Sequence, residues 1–203
     1  MSFMCSRLSG IAFLLMSITY GQTSPATTST EPVYKFYSTV FGTSVIKSGG
    51  LTGRVYAIAP NTPNLPSFDA MRPIAKVWTT KLDIPLQDFT LGFPGVPERF
   101  EWFAIDYTGN IWITKGGRYH FSLASDDGSA LFVDNRLIID NDGIHPIVVK
   151  KGAVHLGAGL HSIRIAYFQG PRTQLALVFK VQTPGQSWRI FDTEQFNPPH
   201  AEQ

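Results

Sequence analysis

Cysteine is almost missing from this chain: there is one among 203 residues, Cys5, close to the N-terminus. If the leader described below is removed, no disulfide can brace the remainder. Its stability then has to come from a hydrophobic core, with a bound metal as the remaining route. Charge is scarce as well. Charged residues make up 16% of the chain and the formal net charge is +2, with no basic run of five or more. That removes the electrostatic footprint of a nucleic-acid binder, and of a protein held on a membrane by charge. No apolar stretch reaches the roughly 20 residues that a membrane-spanning helix needs, so no transmembrane segment is expected in the mature chain. Nor does the sequence contain a nucleophile elbow, a phosphate-binding loop, a dinucleotide fingerprint or a zinc-protease motif. Absence of these short motifs does not by itself exclude an enzyme; the expectation of a non-catalytic module comes from the resemblance given below.

Aromatic residues, by contrast, are plentiful at 13%, within a hydrophobic fraction of 43%. That is enough bulky apolar volume for one core and argues against wholesale disorder. Residues 1–21 read as a secretory signal peptide: Arg7 precedes an apolar run from Leu8 to Tyr20, and Thr19 and Gly21 are small enough for a cleavage site. A retained signal anchor is the competing reading, but the run is about 13 residues long and broken by Gly and Ser. The expected destination is secretion, the periplasm or the cell surface, and loss of Arg7 lowers the net charge by one. Residues 22–32 are Ser/Thr-rich without apolar period and read as a flexible spacer. Residues 33–203 are expected to form a single domain.

Within that domain period-2 alternation recurs, over 33–41, 54–59, 99–107, 118–124, 130–134, 160–168 and 174–181. Tyr119, Phe121 and Leu123 share one face opposite His120 and Ser122. Ile163, Ile165 and Tyr167 do the same opposite Ser162, Arg164 and Ala166. Gly-containing turn signals separate the runs, at Gly116-Gly117, Asp127-Gly128, Asp142-Gly143, Gly157 to Gly159, Gly170-Pro171 and Pro184-Gly185. This pattern predicts an all-β fold, an antiparallel β-sandwich. The proline-rich segment from Pro60 to Pro97 should supply edge strands and long covering loops, because proline cannot donate to a ladder.

The chemistry concentrates between Gly117 and Asp142. Asp126 and Asp127 fall where a strand ends and a turn begins, with Asp134, Asp140 and Asp142 following. Paired carboxylates suit a hard cation such as calcium, which takes six to eight oxygens. Neighbouring residues of an extended chain point to opposite faces, so gripping one ion requires the peptide between them to leave strand geometry, for instance as a cis peptide. The other reading is a hairpin turn in which Asp126, Asp127 and Gly128 cap local amides.

The run Gly117, Tyr119, Phe121, Ser125-Asp126-Asp127-Gly128-Ser129, Leu131, Val133-Asp134 and Ile138 to Asp140, followed by Gly159-Leu160-His161, Ile163, Ile165 and Tyr167-Phe168, resembles the PA14 domain family. Gly50 to Gly53 with Tyr56, and Phe103 to Trp112, extend the resemblance to about residues 48–192. The family is named for a piece of the anthrax protective antigen and includes sugar-binding heads of yeast flocculins and epithelial adhesins. The resemblance implies a secreted carbohydrate-binding sandwich in which consecutive aspartates joined by a cis peptide hold calcium, here Asp126 and Asp127, and the ion binds vicinal hydroxyls of a glycan or cell-surface polysaccharide. It further implies ligands from the loop after the Tyr-Phe strand: the Gln169 amide oxygen and a carbonyl of Gly170 or Arg172. Arg172 is a candidate contact to an anionic sugar, against the plainer reading of a solvated loop arginine. A structural or protein-interaction domain of the cell envelope, with a protein partner and no sugar, is the second functional reading.

Other candidates are weaker. Asp140-Asn141-Asp142-Gly143 starts like an EF-hand loop but lacks its closing Glu. His145, His155 and His161 match no compact zinc spacing. Adjacent aspartates do not readily flank a glycosidic bond at the ~5–9 Å separations that hydrolysis uses. Trp102, Trp112 and Trp188, with Tyr37 and Tyr107, are the aromatic residues from which a sugar-stacking surface would be drawn.

Overall fold

The computed structural model describes residues 50–96, 99–171 and 174–198 together with the backbone of 37–40. The leader, the spacer and Arg172 lie outside the described residues. Twelve strands are present among those described: β1 (Tyr37–Val40), β2 (Leu51–Ala57), β3 (Ala75–Thr79), β4 (Asp83–Asp88), β5 (Phe103–Ile113), β6 (Gly117–Asp126), β7 (Ser129–Val133), β8 (Arg136–Asn141), β9 (Val148–Leu156), β10 (Gly159–Gln169), β11 (Gln174–Gln182) and β12 (Arg189–Ile190). They form two sheets. One has the order β1-β3-β2-β5-β10-β7-β8; the other runs β12-β11-β6-β9, with β4 also paired to β11. The pairings are antiparallel apart from β1 with β3, which is parallel.

Alternation explains the core. Phe103, Ile105, Tyr107, Ile111 and Ile113 of β5, Ile163, Ile165 and Tyr167 of β10, Tyr119, Phe121 and Leu123 of β6, and Leu175, Leu177, Phe179 and Val181 of β11 are all buried in one cluster. Each set lies at every second position, so one face of each strand is removed from water. A chain of rings closes one part of it: Phe121 stacks on Phe179 and Phe191 on Phe196, with Phe179 and Phe191 tilted against each other.

The turn signals play a different part from simple hairpins. Gly116-Gly117, Asp127-Gly128, Asp142-Gly143, Gly157 to Gly159 and Gly170-Pro171 each stand where the chain crosses from one sheet to the other. Asp126, Asp127 and Gly128 therefore do not make a hairpin, since β6 pairs with β9 and β11 while β7 pairs with β8 and β10. The tight hairpin joins β7 to β8 through Asp134 and Asn135, both with positive φ (49° and 60°), as a two-residue turn between twisted strands requires.

The proline-rich segment divides. Its middle gives β3, which is flanked on both sides, by β1 and β2, and so is an inner strand and not an edge. Its first part is a covering loop whose Phe68, with partly buried Leu65 and Met71, packs on Tyr56, Ala104, Ala166 and Phe168 as a small second cluster. Those four are strand residues facing outward, so the loop covers part of the outer face of the seven-stranded sheet.

Candidate functional site

At one end of the sandwich the inward positions turn polar. On β6 the series Tyr119, Phe121, Leu123 continues to Ser125; on β10 Ile163, Ile165, Tyr167 continues to Gln169; β7 begins with Ser129. All three polar residues are fully buried. Ser125 and Ser129 share a hydroxyl hydrogen bond of 2.6 Å, and Asn141 Nδ2 donates to Ser125 Oγ at 2.9 Å. A polar end of this kind is stable only when its groups are paired.

Asp126 and Asp127 sit on this floor. Their connecting peptide is cis, and each side chain is about 2% exposed. Asp127 is held on both oxygens: Oδ2 accepts from the Gly170 N–H at 2.8 Å and from Gln169 Nε2 at 3.2 Å, and Oδ1 accepts from the His145 N–H at 3.1 Å. Asp126 differs. Its carbonyl accepts from the Tyr167 hydroxyl at 2.8 Å, but its buried Oδ1 has no hydrogen-bond partner.

The electrostatics follow. Burial raises the Asp126 carboxyl to about 6, with the Asp127 charge adding to the rise and His145 opposing it. Burial raises Asp127 too, against the Gly170 and His145 N–H groups, which lower it. Two neighbouring buried carboxylates with one oxygen left bare form an environment that a divalent cation relieves, and the oxygen donors suit a hard one.

The end of β10 and the residue after it meet the pair as donors, whereas the resemblance implied the Gln169 amide oxygen and a Gly170 or Arg172 carbonyl as ligands. Gln169 gives its NH2 to Asp127 while its Oε1 accepts from Tyr167 at 2.6 Å. Gly170 presents its N–H to Asp127, and its carbonyl accepts from the Trp102 N–H at 3.3 Å. Among the described residues no group of three or more His, Cys, Asp and Glu side chains could enclose a metal. Beyond the two carboxylates, a cation here would draw on backbone or ligand oxygens.

The remaining acidic residues have structural partners. Asp142 Oδ1 accepts from Gly143 N and from Leu65 N, both at 2.8 Å, which ties the covering loop to the β8–β9 connection. Asp140 Oδ1 accepts from Asp142 N. Asp134 pairs with His161 at 2.6 Å and accepts from Ser162 N at 2.9 Å. Burial alone would lower His161, but the Asp134 and Gly157 hydrogen bonds prevail and raise it.

Sequence reasoning missed Tyr167 as a support of the pair, although its alternation with Gln169 marks it as inward. It also missed the His145 amide, which no side-chain pattern announces. Tyr107 lies buried in the core and away from any sugar-stacking surface.

Comparison with known proteins agrees with this architecture. The PA14 domain family matches residues 50–194. Among solved structures, a PA14 sugar-binding domain from an RTX adhesin is 23% identical, with a TM-score of 0.62 over 73% of this chain and 97% of that one. The PA14 domain of the MpAFP antifreeze protein is 15% identical, with a TM-score of 0.60 over 75% and 93%. The A domain of epithelial adhesin 9 from Candida glabrata, solved in complex with Galb1-3GlcNAc, is 13% identical, with a TM-score of 0.53 over 79% and 94%. No curated protein matches the chain. With the family match spanning both sheets and the aspartate pair between them, the chain belongs to the PA14 domain family.

Proposed function

We propose that this domain is a non-catalytic module that binds carbohydrate outside the cell or at its surface, through a calcium ion held by Asp126 and Asp127. The observation that carries the reading is the buried consecutive pair, with Asp126 Oδ1 unpartnered beside a carboxylate already fixed by three donors. Support comes from the relatives whose names specify sugar binding or a bound disaccharide. Bound there, calcium would offer open coordination positions to a vicinal pair of sugar hydroxyls. Gln169, Gly170 and His145 fix the rotamer of Asp127 in advance, so less side-chain entropy is lost on binding. Tyr167 anchors the backbone of Asp126 and the amide of Gln169 together. Ile144, exposed and beside Gly170, forms an apolar rim where a sugar ring would meet the protein.

Thermal unfolding with chelator and with calcium returned tests the first half of the proposal. At calcium about a hundredfold above Kd the native state gains about 2.7 kcal/mol, a rise of several degrees in Tm, and Asp127→Asn should abolish it. An unchanged midpoint in the native sequence would overturn the calcium reading. A glycan array probed with and without calcium tests the second half. Absence of any calcium-dependent glycan signal would overturn the sugar reading and turn attention to a protein partner in the envelope.

A further inference from the structure

The outer face of the seven-stranded sheet carries a second constellation. Cross-strand partners run Trp78, Thr52, Thr108, Arg164, Phe132 from β3 through β2, β5 and β10 to β7. Four interstrand steps make this row about 19 Å long. All five residues are partly exposed, with an aromatic ring at each end and hydrogen-bonding groups between. The adjacent row adds the exposed pair Asn110 and Ser162.

The surface is concave from Thr52 to Phe132, and Trp78 continues the row beyond the lining residues. A cleft of about 480 Å³ is lined by Thr52, Thr108, Asn110, Phe132, Ser162 and Arg164. A second of about 450 Å³ adjoins it across Arg164, toward Tyr56 and the covering loop. Arg164 is fixed in place: Nε donates to Asp106 Oδ1 at 2.6 Å, and the guanidinium carbon lies 5.5 Å from the Phe68 ring and 5.1 Å from the Phe132 ring. Asp106 neutralises the charge, while the terminal guanidinium N–H groups retain donor capacity.

These features select a ligand class. Across the two clefts the cations Arg54 and Arg164 are matched by the carboxylates Asp69 and Asp106, so the lining carries no net charge to draw an anion. Hydroxyl, amide and guanidinium groups in a line between two aromatic rings instead suit an extended, uncharged, hydroxyl-rich chain with apolar ring faces. We propose that this row is a calcium-independent binding cleft for a linear neutral oligosaccharide. It is separate from the aspartate pair, since the Arg164–Thr108 level lies five residues, about 17 Å along the strands, from the Gln169–Phe103 level. It does not depend on the calcium reading.

The test uses isotope-labelled protein in excess chelator, titrated with cellohexaose, maltohexaose and mannohexaose, with a galacturonic acid hexamer as the charged comparison. The expected result is saturable amide shifts at Thr52, Thr108, Asn110 and Ser162 with at least one neutral hexamer. They should weaken about tenfold in Trp78→Ala and persist in Asp127→Asn. Arg164→Lys, which keeps a cation beside Asp106 but loses the planar donors, should weaken binding in the same way. Ser162→Tyr fills the cleft from an exposed position and should block binding even if Trp78→Ala proves unstable. Shifts with none of the three neutral hexamers, shifts centred elsewhere, preference for the charged hexamer, or full binding by Ser162→Tyr would each overturn the proposal.

Discussion

Two tyrosines separate what a buried hydroxyl does when it is paired from what it does when it is not. Tyr167 OH contacts both the Asp126 carbonyl and Gln169 Oε1, whereas Tyr107 OH is buried with no partner. Tyr167→Phe should therefore cost about 1–2 kcal/mol, and Tyr107→Phe should be neutral or stabilising by up to about 1 kcal/mol. Denaturant titration of both variants measures the difference. Asp126 gives a pH signature. Its folded carboxyl titrates near 6, above its ordinary value of 3.8, so the native state binds more protons than the unfolded chain between those limits. In chelator, stability should then fall as pH rises from about 4 to about 6. His161 is also raised, but from a higher starting value, and loses its contribution only as pH rises further. Asp127, also raised by burial, adds to the same slope, so Tm measured across pH 4 to 6 should slope downward in the native sequence and less steeply in Asp126→Asn.

At the scale of elements, two glycines show how tightly the crossings are drawn. A Cβ on Gly128 would strike the Phe168 ring and stand 2.9 Å from both Asp142 Oδ1 and Gly143 N, where the β6–β7 crossing passes the end of β8. On Gly152 of β9 it would strike the Ile138 carbonyl of β8, the place where the two sheets meet along one side. Backbone cannot move aside as a flexible side chain can. Gly152→Ala should destabilise by about 1–3 kcal/mol through overpacking, read as a lower denaturant midpoint. Gly128→Ala should in addition disturb the aspartate pair, weakening any calcium-dependent shift more than the loss of stability alone would.

For the whole molecule, the covering loop joins the two candidate sites. Asp142 ties Leu65 to the β8–β9 connection near Asp127, and Phe68 packs against the outer face and the Arg164 guanidinium. Phe68→Ala should cost about 3 kcal/mol and release Arg164 from one of its two rings, while the main core between the sheets stays intact. Hydrogen exchange is expected to rise over 58–73 and along β2, with protection in β6 and β11 preserved.

The sequence by itself determined which faces are buried, because period-2 alternation marks inward residues on β2, β5, β6, β7, β10 and β11 without knowledge of their neighbours. Strands β3, β4, β8 and β9 were less legible. Pro85 breaks the pattern in β4, and β9 exposes both faces over much of its length, with Val149 more than half exposed. Tertiary structure decided pairing and crossing. Local turn chemistry is the same whether a chain doubles back in one sheet or passes to the other, so Asp127-Gly128 reads as a turn in either case. The aspartate pair was visible as adjacent residues with an acidic character. That its floor is Ser125, Ser129 and Asn141 depends on contacts 4 and 16 residues apart across the β6–β7 crossing and β8, and that Gln169 and Gly170 meet Asp127 as donors depends on contacts 42 and 43 residues apart. The outer-face row is the extreme case: its five members come from five strands, and only the register of the sheet places Trp78 and Phe132 at two ends of one line.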